Sequence, residues 1–123
     1  MNVTEAIRNR RSIRKFQQGV QIPQEDLDLI LEAAMMAPSA RNTRPWEFVV
    51  VENREILEKF RDIQPYTGMM KTASLAIVVC GRPELQEGGN EFWPQDCGAA
   101  SKKILLQAME LGYGTCCYGL STV

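Results

Sequence analysis

The chain has 123 residues, 14 Lys+Arg against 15 Asp+Glu for a formal net charge of -1, and no histidine. Near-neutral charge gives a polyanion such as nucleic acid no general electrostatic reason to bind, and the lack of imidazole excludes the common serine, cysteine and zinc hydrolases, which need it as base or ligand. An apolar fraction of 45% with 24% charged residues describes one globular domain over 1–123, without linker, repeat or an apolar run that could span a bilayer.

The N-terminus carries charge where a signal peptide would need an apolar run, so a cytoplasmic protein is expected. Cys80, Cys97, Cys116 and Cys117 form no Cys-x-x-Cys and have no histidine to complete a mixed zinc site, so no metal is expected and the thiols read as reduced. Cys116 and Cys117 on an extended strand would point to opposite faces, which disfavours a vicinal disulfide.

In chain order, a short helix is predicted at roughly 2–9 on the apolar positions Val3, Ala6 and Ile7. It runs into Arg8-Asn9-Arg10-Arg11-Ser12-Ile13-Arg14-Lys15-Phe16, which holds five cations and a hydroxyl in nine positions. Such a cluster in a neutral chain suits one small anion, because arginine's planar fork grips phosphate oxygens through parallel hydrogen bonds and a serine hydroxyl adds a further contact. Cations at a helix C-terminus, worth about 0.3–1 kcal/mol each when exposed, would account for one or two of these arginines but not for three around a serine.

A second helix is predicted over roughly 24–37, opened by Pro23 with Glu25 and Asp26 in its first turn. Leu27, Ile30, Leu31 and Ala34 recur at helical spacing, with Leu29 and Ala33 widening the stripe. Then comes Ala37-Pro38-Ser39-Ala40-Arg41-Asn42-Thr43-Arg44-Pro45-Trp46, a stiff connector of prolines, small residues and short hydrogen-bonding side chains. It is either a helix-to-strand turn stiffened by proline or a surface suited to a flat heteroaromatic ligand.

Phe48–Val51 reads as a buried strand, and Asn53 caps a helix through Ile56, Leu57 and Phe60 that Pro65 stops. Met69 and Met70 read as flexible core filler ahead of a strand Leu75–Cys80, which Gly81 and Pro83 end. Residues 84–93 form a polar, glycine-containing connector, or a lid over a pocket, with Phe92 and Trp93 packed against a neighbour. A helix over about 95–110 carries Cys97, Ala100, Ile104, Ala108 and Leu111 along one stripe, its first turns kept slim by Gly98, Ala99, Ala100 and Ser101. Gly112-x-Gly114 is followed by Cys117 where a dinucleotide fingerprint needs glycine or alanine, and no Gly-Lys-Ser/Thr occurs. Helices and strands without regular βαβ spacing argue for an α+β fold.

Taken together, two of these segments resemble the FMN-dependent nitroreductase family. Arg10-Arg11-Ser12-Ile13-Arg14-Lys15-Phe16 is similar to that family's phosphate-binding motif, and Pro38-Ser39-Ala40-Arg41-Asn42-Thr43-Arg44-Pro45-Trp46 to the loop that packs on its flavin. Trp93–Ala108 and Leu111–Gly119 look like its long central helix and the strand after it. The resemblance implies a mixed, mainly antiparallel sheet flanked by helices, assembled as a homodimer with FMN at the interface. It also implies flavin-borne chemistry without a catalytic protein nucleophile, in which NAD(P)H supplies electrons for a small acceptor such as a nitroaromatic or quinone.

By the same resemblance Arg10, Arg11, Ser12 and Arg14 hold the flavin phosphate and ribityl tail. Pro38, Ser39, Ala40 and Asn42 of a partner subunit line the ring, and Tyr118, Gly119 and Leu120 place backbone groups near its reactive nitrogen. Family members continue beyond the position of Val123, with a further phosphate contact and an extension around the partner. The alternative is a non-catalytic flavin-binding or truncated dimer module; a domain capturing a phosphorylated metabolite would need no flat apolar slot, which the Pro38–Trp46 loop disfavours.

Overall fold

A helix at each end of the sequence frames the molecule in the computed structural model, which describes residues 1–86 and 91–119. Helix α1 covers Val3–Asn9. Its start is set by a reciprocal cap in which Glu5 N–H donates to Asn2 Oδ1 (2.9 Å) and Asn2 N–H donates to Glu5 Oε2 (3.0 Å). Helix α2 (Gln24–Met35) follows Pro23 and places Glu25 and Asp26 in its first turn, where acidic groups meet the positive end of the helix. It buries Leu27, Ile30 and Ala34. Leu29, expected to widen the buried stripe, is 44% exposed, because among the described residues α2 packs mainly on α4.

Strands β1 (Trp46–Val51) and β2 (Ala76–Gly81) pair antiparallel from Trp46↔Gly81 to Val51↔Ala76 and form the two-stranded sheet of the described residues. The strand read as buried throughout instead alternates: Trp46 is buried and Phe48 half-buried, while Glu47 and Val49 face outward, since helix covers only one face of the sheet. Between the strands, helix α3 (Arg54–Ile63) starts where Ile56 N–H donates to Asn53 Oδ1 (3.1 Å) and buries Leu57. The Arg54 guanidinium ties it to the following turn through Ala73 O (2.9 Å) and Met70 O.

Helix α4 (Trp93–Glu110) is the axis of the fold. Ala34 and Ala100, both 0% exposed, let α2 and α4 approach closely, and Ile30, Ala37, Trp46, Ile104 and Ala108 complete the core with Phe48, Ile77 and Val79 of the sheet packed against it. At the head of α4 the Trp93 ring lies where a Gly81 Cβ would stand, 2.1 Å from its Cε3, so this residue must be glycine. Phe92, expected to pack, is 48% exposed. At the tail, Gly112 N–H donates to Met109 O (2.9 Å) and Tyr113 N–H to Ala108 O (2.9 Å), a Schellman closure that Gly112 permits with φ +91°.

The chain after α4 then runs beside the arginine-rich segment. Ile13 N–H donates to Thr115 O (2.8 Å), and Ser12 and Thr115 form an isolated parallel bridge rather than a full strand. One parallel bridge and one antiparallel pair make up the β-structure of the described residues, a smaller sheet than the resemblance implies.

Candidate functional site

Two groups of the expected site residues sit at opposite ends of α4. Its 18 residues correspond to a length of about 27 Å. Helices α2 and α4 run antiparallel: the Tyr113 hydroxyl after α4 donates to Asp26 in the first turn of α2, whereas Ala40 N–H after α2 donates to Asp96 Oδ2 in the first turn of α4 (3.1 Å). Hence Pro38–Arg44 lies at the head of α4 and Arg10–Arg14, with Thr115–Gly119, beyond its tail.

At the tail, Arg11, Ser12 and Arg14 are exposed and Arg10 is half-buried. The Arg10 Nε is shut from solvent and has no hydrogen-bond partner among the described residues. An unsatisfied buried donor costs about 1–3 kcal/mol, more when charged, and an anionic oxygen would remove that cost. Gly114 keeps the segment close, since a Cβ there would stand 3.0 Å from the Ile13 side chain. Tyr118 joins the same end: its hydroxyl donates to Met69 Sδ, burial pushes its pKa up, the Cys116 thiol adds to the rise, and the Arg14 guanidinium opposes it. Gly119 O accepts from Gln64 Nε2 at 3.5 Å, and Leu120 lies outside the described residues.

At the head, the loop folds onto itself. Asn42 N–H donates to Ser39 O (3.0 Å), Thr43 N–H and Oγ1 both donate to Ala40 O (3.2 and 2.9 Å), and Arg44 N–H donates to Ser39 Oγ (3.0 Å). Arg41, Asn42 and Arg44 take φ of 54°, 55° and 52°. Asparagine tolerates this left-handed region, whereas each arginine there costs about 1–2 kcal/mol. Three such residues within four positions persist only because the surroundings hold them, a pattern concentrated at ligand sites.

The holding groups are Asp96 and Gln86, neither of them anticipated from sequence. Asp96, 7% exposed, accepts from Ala40 N–H and from Gln86 Nε2 (2.9 Å), and Gln86 Nε2 also reaches Thr43 Oγ1 (3.3 Å). A signal was present: Asp96 precedes Ala100, Ile104 and Ala108 at four-residue intervals, so a carboxylate heads the buried stripe of α4 and must find a partner. Beside it, burial first, then Asp96 and Cys80, push the Cys97 thiol pKa up. Pro38 is exposed, and Ser39 and Ala40 are half-buried. No group of His, Cys, Asp or Glu able to hold a metal occurs among the described residues, nor a helix long and apolar enough to cross a membrane.

Comparison with known proteins agrees with this architecture. The nitroreductase family profile matches residues 7–65. A protein of Methanothermobacter thermautotrophicus, provisionally named NADH dehydrogenase/NAD(P)H nitroreductase, is 52% identical over 114 residues, 93% of this chain and 59% of that protein. Among solved structures, an FMN-dependent nitroreductase of Clostridium difficile R20291 superposes with a TM-score of 0.82 at 40% identity, covering 93% of this chain and 64% of that one. A nitroreductase family protein of Clostridium novyi NT gives 0.86 at 32% identity, covering 94% and 68%. The chain thus spans roughly two thirds or less of the length of these relatives. Shared sequence over most of the chain and the same fold place the chain in the nitroreductase family.

Proposed function

We propose that the chain is an FMN-dependent oxidoreductase of the cytoplasm that acts as a homodimer and moves electrons from NAD(P)H to a nitroaromatic, quinone or similar small acceptor. The observation that carries this reading is the buried Nε of Arg10, without a partner among the described residues, in a cationic segment that Thr115 pins in place. Arg10, Arg11, Ser12 and Arg14 supply donors for a phosphate, and Tyr118, Gly119 and Leu120 follow on the same side. Pro38, Ser39, Ala40 and Asn42 offer a rigid surface for a flat ring at the other end of α4 from Arg10, and on this reading one site draws its two halves from different protomers. Bound there, FMN would accept hydride from NAD(P)H and return electrons to the acceptor, while the protein positions both partners and excludes water. Four free thiols fit a reducing compartment.

The test is the double substitution Arg10→Ala with Arg14→Ala. Loss of FMN retention, followed by visible absorption and titration, with unchanged circular dichroism is the expected result; undiminished FMN binding would overturn the phosphate assignment. A binding-only module would be yellow without bleaching on anaerobic NADH or NADPH.

A further inference from the structure

The polar atoms of the Pro38–Arg44 loop are not equally available to a ligand. Ala40 N–H is held by Asp96, Asn42 N–H by Ser39 O, Thr43 N–H by Ala40 O, and Arg44 N–H by Ser39 Oγ. Arg44 makes a second bond, from its Nε to Asn42 Oδ1 at 3.2 Å. One residue therefore engages both oxygens, Ser39 Oγ through its backbone N–H and Asn42 Oδ1 through its side chain. A hydroxyl whose oxygen is accepting keeps its hydrogen to donate, and an amide whose oxygen is accepting keeps its NH2. The Asn42 amide is thereby fixed with its NH2 turned away from Arg44 and free to donate, and Arg44 makes both bonds from a left-handed backbone position, φ 52°.

We propose that Arg44 is a positioning residue whose guanidinium presents the Asn42 NH2 as a hydrogen-bond donor to the carbonyl edge of the flavin and thereby favours its reduced form. This rests on the FMN reading above. Two-electron reduction adds electron density to the pyrimidine part of the ring, and donors fixed beforehand toward a carbonyl there bind the reduced form more tightly than the oxidised one. An Asn42 side chain free to rotate would offer oxygen as readily as NH2 and lose that discrimination.

The experiment measures the midpoint potential of bound FMN, together with its oxidised-state dissociation constant, in the unaltered protein and in Arg44→Met, Arg44→Lys and Asn42→Asp. In Arg44→Met the preference for reduced over oxidised FMN is expected to fall about tenfold, which for a two-electron couple is a potential lower by about 30 mV. Arg44→Lys keeps the charge without the guanidinium Nε and is expected to fall equally; a Lys variant matching the unaltered protein would show that charge, not orientation, acts, and would overturn the proposal. Asn42→Asp keeps an acceptor for Arg44 but removes the NH2, so its potential is expected to drop at least as far. It provides the test if Arg44→Met does not fold, and an unchanged potential there also sinks the proposal. If the unaltered protein takes up no FMN, the functional reading fails and this inference with it; if FMN binds and no variant moves the potential, only the inference fails.

Discussion

The two ends of α4 solve opposite problems. At its tail, the arginine segment is held by one parallel bridge and leaves a buried guanidinium donor without a partner among the described residues. At its head, the proline loop engages its own donors, adopts three left-handed residues and is anchored by a buried carboxylate. The first is loosely held and chemically incomplete, as a seat for an anion would be. The second is internally complete and strained, so it can offer shape and a few chosen donors. A ligand would therefore contribute much to the order of one end and little to the other.

The sharpest way to break the contrast is Asp96→Ala, which strands Ala40 N–H in a buried setting and leaves the Gln86 amide only its longer contact to Thr43 Oγ1. A loss of about 2–3 kcal/mol in denaturant unfolding is expected, with the loop end disordered and the arginine end intact. Gly81→Ala follows: its Cβ would overlap the Trp93 ring, 2.1 Å from Cε3, and displacing the head of α4 is expected to cost about 1–3 kcal/mol. Gly114→Ala tests the other end. The Ile13 side chain must yield to a Cβ at 3.0 Å, so stability should fall by about 1 kcal/mol while FMN affinity, read by fluorescence titration, falls more clearly. Arg41→Gly relieves a left-handed arginine with φ 54°, and a gain below about 1 kcal/mol is expected, because glycine also loosens the unfolded chain.

The smallest effect concerns pH. Cys97 has its pKa raised in the folded protein, by burial first, so its contribution is present at neutral pH and is lost as pH climbs from the ordinary thiol value, about 8.5, through the folded value. Unfolding midpoints between pH 7 and 10 should fall less steeply in Cys97→Ala. Tyr113 and Tyr118, also raised, contribute to the remaining slope in both proteins.

Much of this was legible in the residues. The cap at Asn53, the stripe of Ala100, Ile104 and Ala108, and the arginine and proline segments all announce themselves because local propensity and tertiary packing agree there. Leu29 and Phe92 were misread because periodicity reports which side chains are apolar, not whether a neighbouring element covers them. Asp96 was passed over because a single carboxylate in an apolar stripe reads as a helix-start residue until its partner, 56 positions earlier, is known.

By itself the sequence determined the class of fold, the family and the chemical character of the two motifs, since these depend on residue types and on contacts within a few positions. Only the tertiary structure decided that the motifs lie at opposite ends of one helix and that Asp96 holds the strained loop. The physical reason is that chain direction and long-range hydrogen bonds are settled when α2 and α4 pack antiparallel through Ala34 and Ala100, and no local pattern encodes which ends that packing brings together.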